Sequence, residues 1–99
     1  MGDSFHEILK LRAETNHALL DFIRTDLDLC LVFATVAETA YSMGRRAHAE
    51  RNIANAEKGY SVLLRYYCQA KGMTAEVEME LWSKFQRLRD RLDGLQRRR

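Results

Sequence analysis

Leu27 to Met43 reads LDLCLVFATVAETAYSM, and from Leu29 to Ala37 every position except Thr35 is apolar. A helix made of this stretch is greasy nearly all the way round, and such a helix has to be covered on more than one side. A buried strand is the competing reading of Leu29 to Val36, since periodicity alone does not separate the two for a short apolar run. Against it, no turn signals bound the run at strand length, it continues into Ala-Glu-Thr-Ala, and no second segment alternates so as to pair with it. A lone strand would leave its backbone hydrogen bonds unmade. A membrane span needs about 20 mostly apolar residues, and Asp26, Asp28 and Glu38 close the run off sooner. The stretch is therefore expected to be a buried central helix.

Upstream, Ser4-Phe5-His6-Glu7 has the form of a capping box, in which side chains satisfy free backbone N–H groups at a helix start. Phe5, Ile8, Leu9, Leu19, Leu20 and Ile23 keep helical spacing, with Arg12, Thr15 and Asn16 weakening the stripe midway. Thr25-Asp26-Leu27-Asp28 offers a cap for a second helix, although no Gly or Pro forces a break. The reading favours two helices, about 5–23 and 26–43, over one long bent helix. Downstream, Gly44 follows Met43 where a left-handed C-terminal cap is due. A third helix runs over about 46–70 on the stripe Ala49, Ile53, Ala56, Tyr60, Leu63, Leu64 and Tyr67. Gly72 and Thr74 then punctuate the chain before a last helix over about 75–96. Its apolar residues Val77, Leu81, Phe85, Leu88, Leu92 and Leu95 recur at steps of three and four, close to a heptad seam.

The expected fold is all-α: a small antiparallel bundle of three to four helices, without strands, in one domain covering residues 1–99. With 99 residues, no proline and only five glycines, the chain has little material for long loops or strand turns. Cys30 and Cys68 each sit in apolar surroundings at a spacing that fits neither a zinc site nor a redox pair, so both are expected to be buried, free thiols. The start MGDSFHEILK lacks the basic and apolar regions of a secretory signal, which points to a cytoplasmic setting. Net charge is only +2, unevenly spread. Glu76, Glu78 and Glu80 open the last helix, and Lys84, Arg87, Arg89, Arg91, Arg97, Arg98 and Arg99 close it. A helix macrodipole favours that order without any ligand.

The segment around Gly44 resembles one tetratricopeptide (TPR) unit, whose pattern is W-x2-L-G-x2-Y followed by A-x3-F, an Ala and a Pro. Phe33 stands at the large aromatic position, Val36 at the Leu, Ala37 at the small residue, Ala49 and Ile53 at the A-x3-F pair, and Ala56 at the later Ala. Ala40 replaces the Tyr and Ser61 the Pro. The resemblance covers about a third of the chain, and no second copy follows. It implies an antiparallel helical hairpin with Phe33, Val36, Ala37, Ala49, Ile53, Ala56 and Tyr60 in the core. It does not imply the peptide groove, because that is built by at least three stacked units. Asn55, Ala56 and Tyr60 also resemble the Asn-Ala-x-x-x-Tyr core of small uncharacterised bacterial all-helical proteins, which implies no activity.

Chemistry-bearing spacings are sparse. Glu14 and His17 have the Glu-x-x-His spacing of di-iron bundles, but such sites take two of these motifs and two further Glu. His48 and Glu50 offer no ligand spacing. There is no G-x-S-x-G elbow, no phosphate-binding glycine loop, and no His placed locally beside either Cys. The reading is a non-enzymatic protein with no catalytic residues, no metal and no cofactor. Nucleic-acid association through Arg45, Arg46, Arg51 and the basic C-terminal segment is the alternative function. The default is a protein-interaction or scaffold module that self-associates as a homodimer, with Leu81, Phe85, Leu88, Leu92 and Leu95 as the candidate interface. A compact monomeric four-helix bundle is the competing arrangement.

Overall fold

The computed structural model describes the backbone of residues 2–98 and the side chains of residues 16–98. It is all-helical: α1 spans Gly2–Ser42, α2 spans Arg46–Gln69 and α3 spans Ala75–Gln96, with no strand among the described residues. The ion pairs fix the direction of α3. Arg24 meets Glu80, Asp28 meets Lys84 and Glu38 meets Arg91. Partner numbers rise together, so α3 lies parallel to α1 while α2 runs back between them in sequence.

The two helices expected over 5–23 and 26–43 are one. α1 continues through Thr25-Asp26-Leu27-Asp28 for 41 residues, for two physical reasons. No residue near the junction carries the helix penalty of Gly or Pro, and Leu27 is fully buried, so a break there would remove a core contact. The candidate capping box at Ser4 and Glu7, and the side chains of Phe5, Ile8 and Leu9, lie outside the described side chains. At 1.5 Å per residue α1 is about 61 Å long and α2 about 36 Å, and the molecule measures 64 × 23 × 16 Å. Asn16 stands level with the loop joining α2 to α3. Its amide donates to the Lys71 carbonyl and accepts from the Lys71 N–H, which closes two backbone groups left free by the end of α2. The backbone of α1 before Asn16 therefore extends past the end of α2.

Gly44 makes the turn between α1 and α2 at φ 74°. The Arg45 N–H donates to the Ala40 carbonyl at 2.8 Å and the Gly44 N–H to the Tyr41 carbonyl at 3.1 Å, the pair of bonds that defines a Schellman cap. Thr74 caps α3, its hydroxyl accepting from the Val77 N–H at 3.2 Å.

The core follows one stripe of α1. Ile23, Leu27, Cys30, Ala34 and Ala37 are buried at steps of four and three, against Ala49, Ile53, Ala56 and Leu63 of α2. Small residues dominate the middle of this contact, which lets the two backbones approach. Gly59 shows how closely: a Cβ there would lie 2.5 Å from the Cys30 Sγ. Phe33, Tyr41 and Tyr60 pack against the cluster half-buried. Val36, placed in the core by the sequence, is half-buried on another side of α1 and lines a surface groove.

The third wall is α3. Leu81, Phe85, Leu88, Leu92 and Leu95 are all buried within the chain, so the seam expected as an interface between copies is no free surface. With the two expected helices joined as α1, the hairpin of α1 and α2 leaves one side open along its inner faces, and α3 fills it. Burying one such side chain contributes about 1.5 to 3 kcal/mol. Phe85 stands edge-on to Tyr60 and Tyr67, with ring centroids 5.8 and 5.3 Å away. Arg89 fastens the outside of the joint: it donates two parallel bonds to Glu57, at 2.9 and 2.6 Å, and lies 5.0 Å over the Tyr60 ring. Those bonds raise the guanidinium pKa further, against the opposing effect of burial.

Candidate interaction surface

What remains of α1 once its inner stripe is covered is a second apolar stripe. Ala18, Phe22, Thr25, Leu29, Val32, Val36, Thr39 and Met43 recur at steps of four and three along one line, which on a helix keeps them on one face. Phe22 is 45% exposed, Leu29 48%, Val32 54% and Met43 62%. No charge interrupts the line. Single exposed apolar residues are ordinary, whereas a contiguous apolar patch with a polar rim marks an interaction site.

The rim is present on the α3 side. Arg24 holds Glu80 at 2.7 Å and Lys84 holds Asp28 at 2.7 Å. The hydrogen bond from Arg24 holds the Glu80 carboxyl below the usual carboxylate range. Further along, Arg91 donates to Glu38 and to the Thr35 hydroxyl. On the α2 side Tyr66 stands edge-on to Phe22, with centroids 6.0 Å apart. At the other end Thr35, Val36, Thr39, Ala40, Met43, Arg45 and His48 line a groove of about 220 Å³ between the end of α1 and the start of α2.

A smaller apolar patch lies where α3 begins. Trp82 stacks on Tyr67 with centroids 6.1 Å apart, beside the exposed Met79, and the three share a groove with Ala75 and Glu78. Trp82 thus rests on the edge of the α2 to α3 contact and is not inserted in it.

The residues singled out by their chemistry are dispersed. His17 is 79% exposed and sits 3.4 Å from Asp21; the Glu14 side chain lies outside the described residues. His48 and Glu50 belong to α2 next to the turn, with Glu50 bonded to Arg46. Among the described residues no three His, Cys, Asp or Glu side chains gather as metal ligands, and no helix is long and apolar enough to cross a membrane. Both cysteines are free, but only Cys30 is buried; Cys68 is exposed, because it falls beside the buried line of α2 and not on it. Burial, with Asp26 nearby, pushes the Cys30 thiol pKa up. Of the basic residues that close the chain, Lys84, Arg89 and Arg91 are engaged with Asp28, Glu57 and Glu38. Arg87, Arg97 and Arg98 are exposed, and Arg99 lies outside the described residues.

The reading of single residues missed the outer stripe, although its signal is in the sequence. The greasy run from Leu29 to Ala37 contains two interleaved seven-residue registers, one through Cys30, Ala34 and Ala37 and one through Leu29, Val32 and Val36. Compared with family models, with curated proteins and with solved structures, the chain matches none.

Proposed function

We propose that the chain is a small non-enzymatic protein-interaction module whose working surface is the outer stripe of α1. The observation that carries this reading is the uncharged line from Phe22 to Met43, apolar except at Thr25 and Thr39, four of whose large side chains are close to half exposed or more beside a rim of ion pairs. A helix presenting apolar residues at steps of three and four is the usual form in which one helical surface is offered to another. The likeness of the α1 to α2 hairpin to one TPR unit enters this reading as hairpin geometry only. Two free cysteines suit a reducing, cytoplasmic setting.

The test is proximity labelling in cells, with the chain and with its Leu29→Lys/Val32→Lys variant. Both positions are exposed, so the variant is expected to keep its circular dichroism spectrum and to lose the neighbours that the parent labels. An unchanged set of labelled neighbours would contradict the assignment of this face.

A further inference from the structure

We infer that the outward face of α2 is a docking surface for the phosphodiester backbone of duplex nucleic acid, held by Arg51, Lys58 and Arg65. It is a different surface from the outer stripe of α1, and it stands or falls without that stripe.

Arg51, Lys58 and Arg65 follow one another at seven residues, which on a helix sets them in one line with steps of about 10.5 Å. All three are exposed, and their line lies on the side of α2 opposite the buried Ala49, Ile53, Ala56 and Leu63. None of the three joins an ion pair among the described residues. The sequence gives them no partner on their own helix: the positions three and four residues to either side of each, from which an acid would reach it, hold no Asp or Glu. Elsewhere the chain does pair its cations, since Arg24, Arg46, Lys84, Arg89 and Arg91 each hold a carboxylate.

The two acids of α2 are kept off this line. Glu57 is turned to α3, where it accepts from Arg89 and Gln96. Glu50 lies seven residues earlier on the same side and is held by Arg46. At the Arg51 end no side chain caps α2 and no acid stands in its first turn, so the positive end of the helix dipole adds to the field uncompensated. Of the cations that the sequence offered to nucleic acid, Arg51 alone belongs to the line; Lys58 and Arg65 join it through the fold.

Charge complementarity calls for a polyanion, and what the face lacks selects which one. Between the cations stand Ala47, Ala54, Ser61 and Cys68. No aromatic or large aliphatic side chain is exposed among them, so the face has no apolar anchor of the kind that holds a protein partner. Nor has it an apolar surface to sink into a membrane. Single strands are held by stacking their bases on aromatic rings, and the tyrosines of α2 point elsewhere: Tyr60 and Tyr67 meet Phe85, and Tyr66 meets Phe22. A duplex keeps its bases stacked on each other and presents phosphate outward, about one charge per 1.7 Å of its axis. The short side chains between the cations leave room for that backbone, and the exposed Asn55 and Ser61 supply donors for phosphate oxygens. Phosphate contacts position a duplex without reading its bases, so binding is indifferent to sequence.

The experiment is fluorescence anisotropy of labelled duplexes of mixed sequence, titrated with the full chain at several salt concentrations. Three phosphate contacts give the logarithm of affinity a slope of about −2.7 against that of salt, so going from about 50 to about 200 mM should weaken binding about 40-fold. Lys58→Gln should make the slope shallower by about 1. Arg51→Gln/Lys58→Gln/Arg65→Gln should abolish binding with an unchanged circular dichroism spectrum, because Gln is a good helix former. Arg87→Gln/Arg97→Gln/Arg98→Gln removes the same charge from exposed positions outside the face and should keep the slope. DNA and RNA duplexes of equal length, compared directly, name the source of the backbone by the tighter of the two. An unchanged slope in Lys58→Gln, or loss of binding in the Arg87 control, would overturn the assignment. So would no binding to either duplex at low salt, a single strand held more tightly than its duplex, or binding to vesicles of anionic lipid in place of duplex.

Discussion

The two faces of α1 carry similar numbers of apolar residues and have opposite fates. On the inner face Ile23, Leu27, Cys30, Ala34 and Ala37 are covered to within a few per cent; on the outer face Phe22, Leu29, Val32 and Met43 are open. Hydrophobicity does not distinguish them, and size does. Small residues in the middle of the inner face let α2 close against it, to the point where Gly59 has no space for a methyl group beside Cys30. The outer face is built of larger side chains separated by threonines, and α2 meets it only at its edge among the described residues, through Tyr66 beside Phe22 and His48 in the groove with Met43. A helix that is greasy on all sides therefore does not have to be a core helix of its own monomer. It can be a core element of the fold on one side and a docking surface on the other.

The contrast is broken most severely by truncating the inner face. Leu27→Ala removes a fully buried side chain and should cost about 2 to 5 kcal/mol, read as a lowered urea midpoint. The matched change on the outer face, Leu29→Ala, should leave the folding free energy of the monomer within about 0.5 kcal/mol. Equal losses at the two positions would erase the distinction.

Closeness of approach is tested at Gly59. In an ordinary exposed helix Gly→Ala gains about 1 kcal/mol. At Gly59 the added Cβ meets the Cys30 Sγ, and overpacking of this kind costs about 1 to 3 kcal/mol, so Gly59→Ala should be neutral to destabilising. The sharper expectation is its change of sign: in a Cys30→Ala background the same substitution should stabilise. Stabilisation in the parent chain would mean that the two helices stand farther apart.

Cysteine reactivity reads the same contrast without mutation. Cys68 is exposed and Cys30 buried with its pKa raised, so a thiol reagent at neutral pH should modify one site per native chain and two in denaturant. Rapid labelling of both in the native state would open the inner face.

The rim should give the smallest effect. The Arg24 hydrogen bond lowers the folded pKa of Glu80, so its contribution is present above the ordinary carboxylate range and is lost as pH falls through the folded value. Arg24→Gln should therefore narrow the acid end of the stability profile slightly and leave neutral pH almost unchanged. The pair is exposed and its effect should shrink further in salt.

Much of the fold was legible in the sequence because its punctuation is chemical. Gly44 and Thr74 mark their turn and cap by backbone geometry that few other residues provide, and the alternate threes and fours of the last helix give its buried line. The rest depended on tertiary facts that local pattern does not hold. Asn16 reads as a polar interruption of the first stripe, and is the side chain that ties α1 to the α2 to α3 loop. Thr25-Asp26 reads as a cap, and lies inside a continuous helix because Leu27 is anchored. The Leu81 to Leu95 seam has the spacing of an interface, and spacing alone does not say whether the facing helix belongs to the same chain. Of the outer stripe, the registers were visible, and which of the two would be covered was decided by the small residues of α2.

The most direct test of the division between the two faces is the melting temperature of two matched double variants. Leu29→Lys/Val32→Lys changes exposed side chains and should leave helix content and Tm nearly unchanged, whereas Leu27→Lys/Ala34→Lys places two charges at fully buried positions and should abolish cooperative melting. Loss of helix in the outer-face variant, or an unchanged Tm in the inner-face one, would contradict the account.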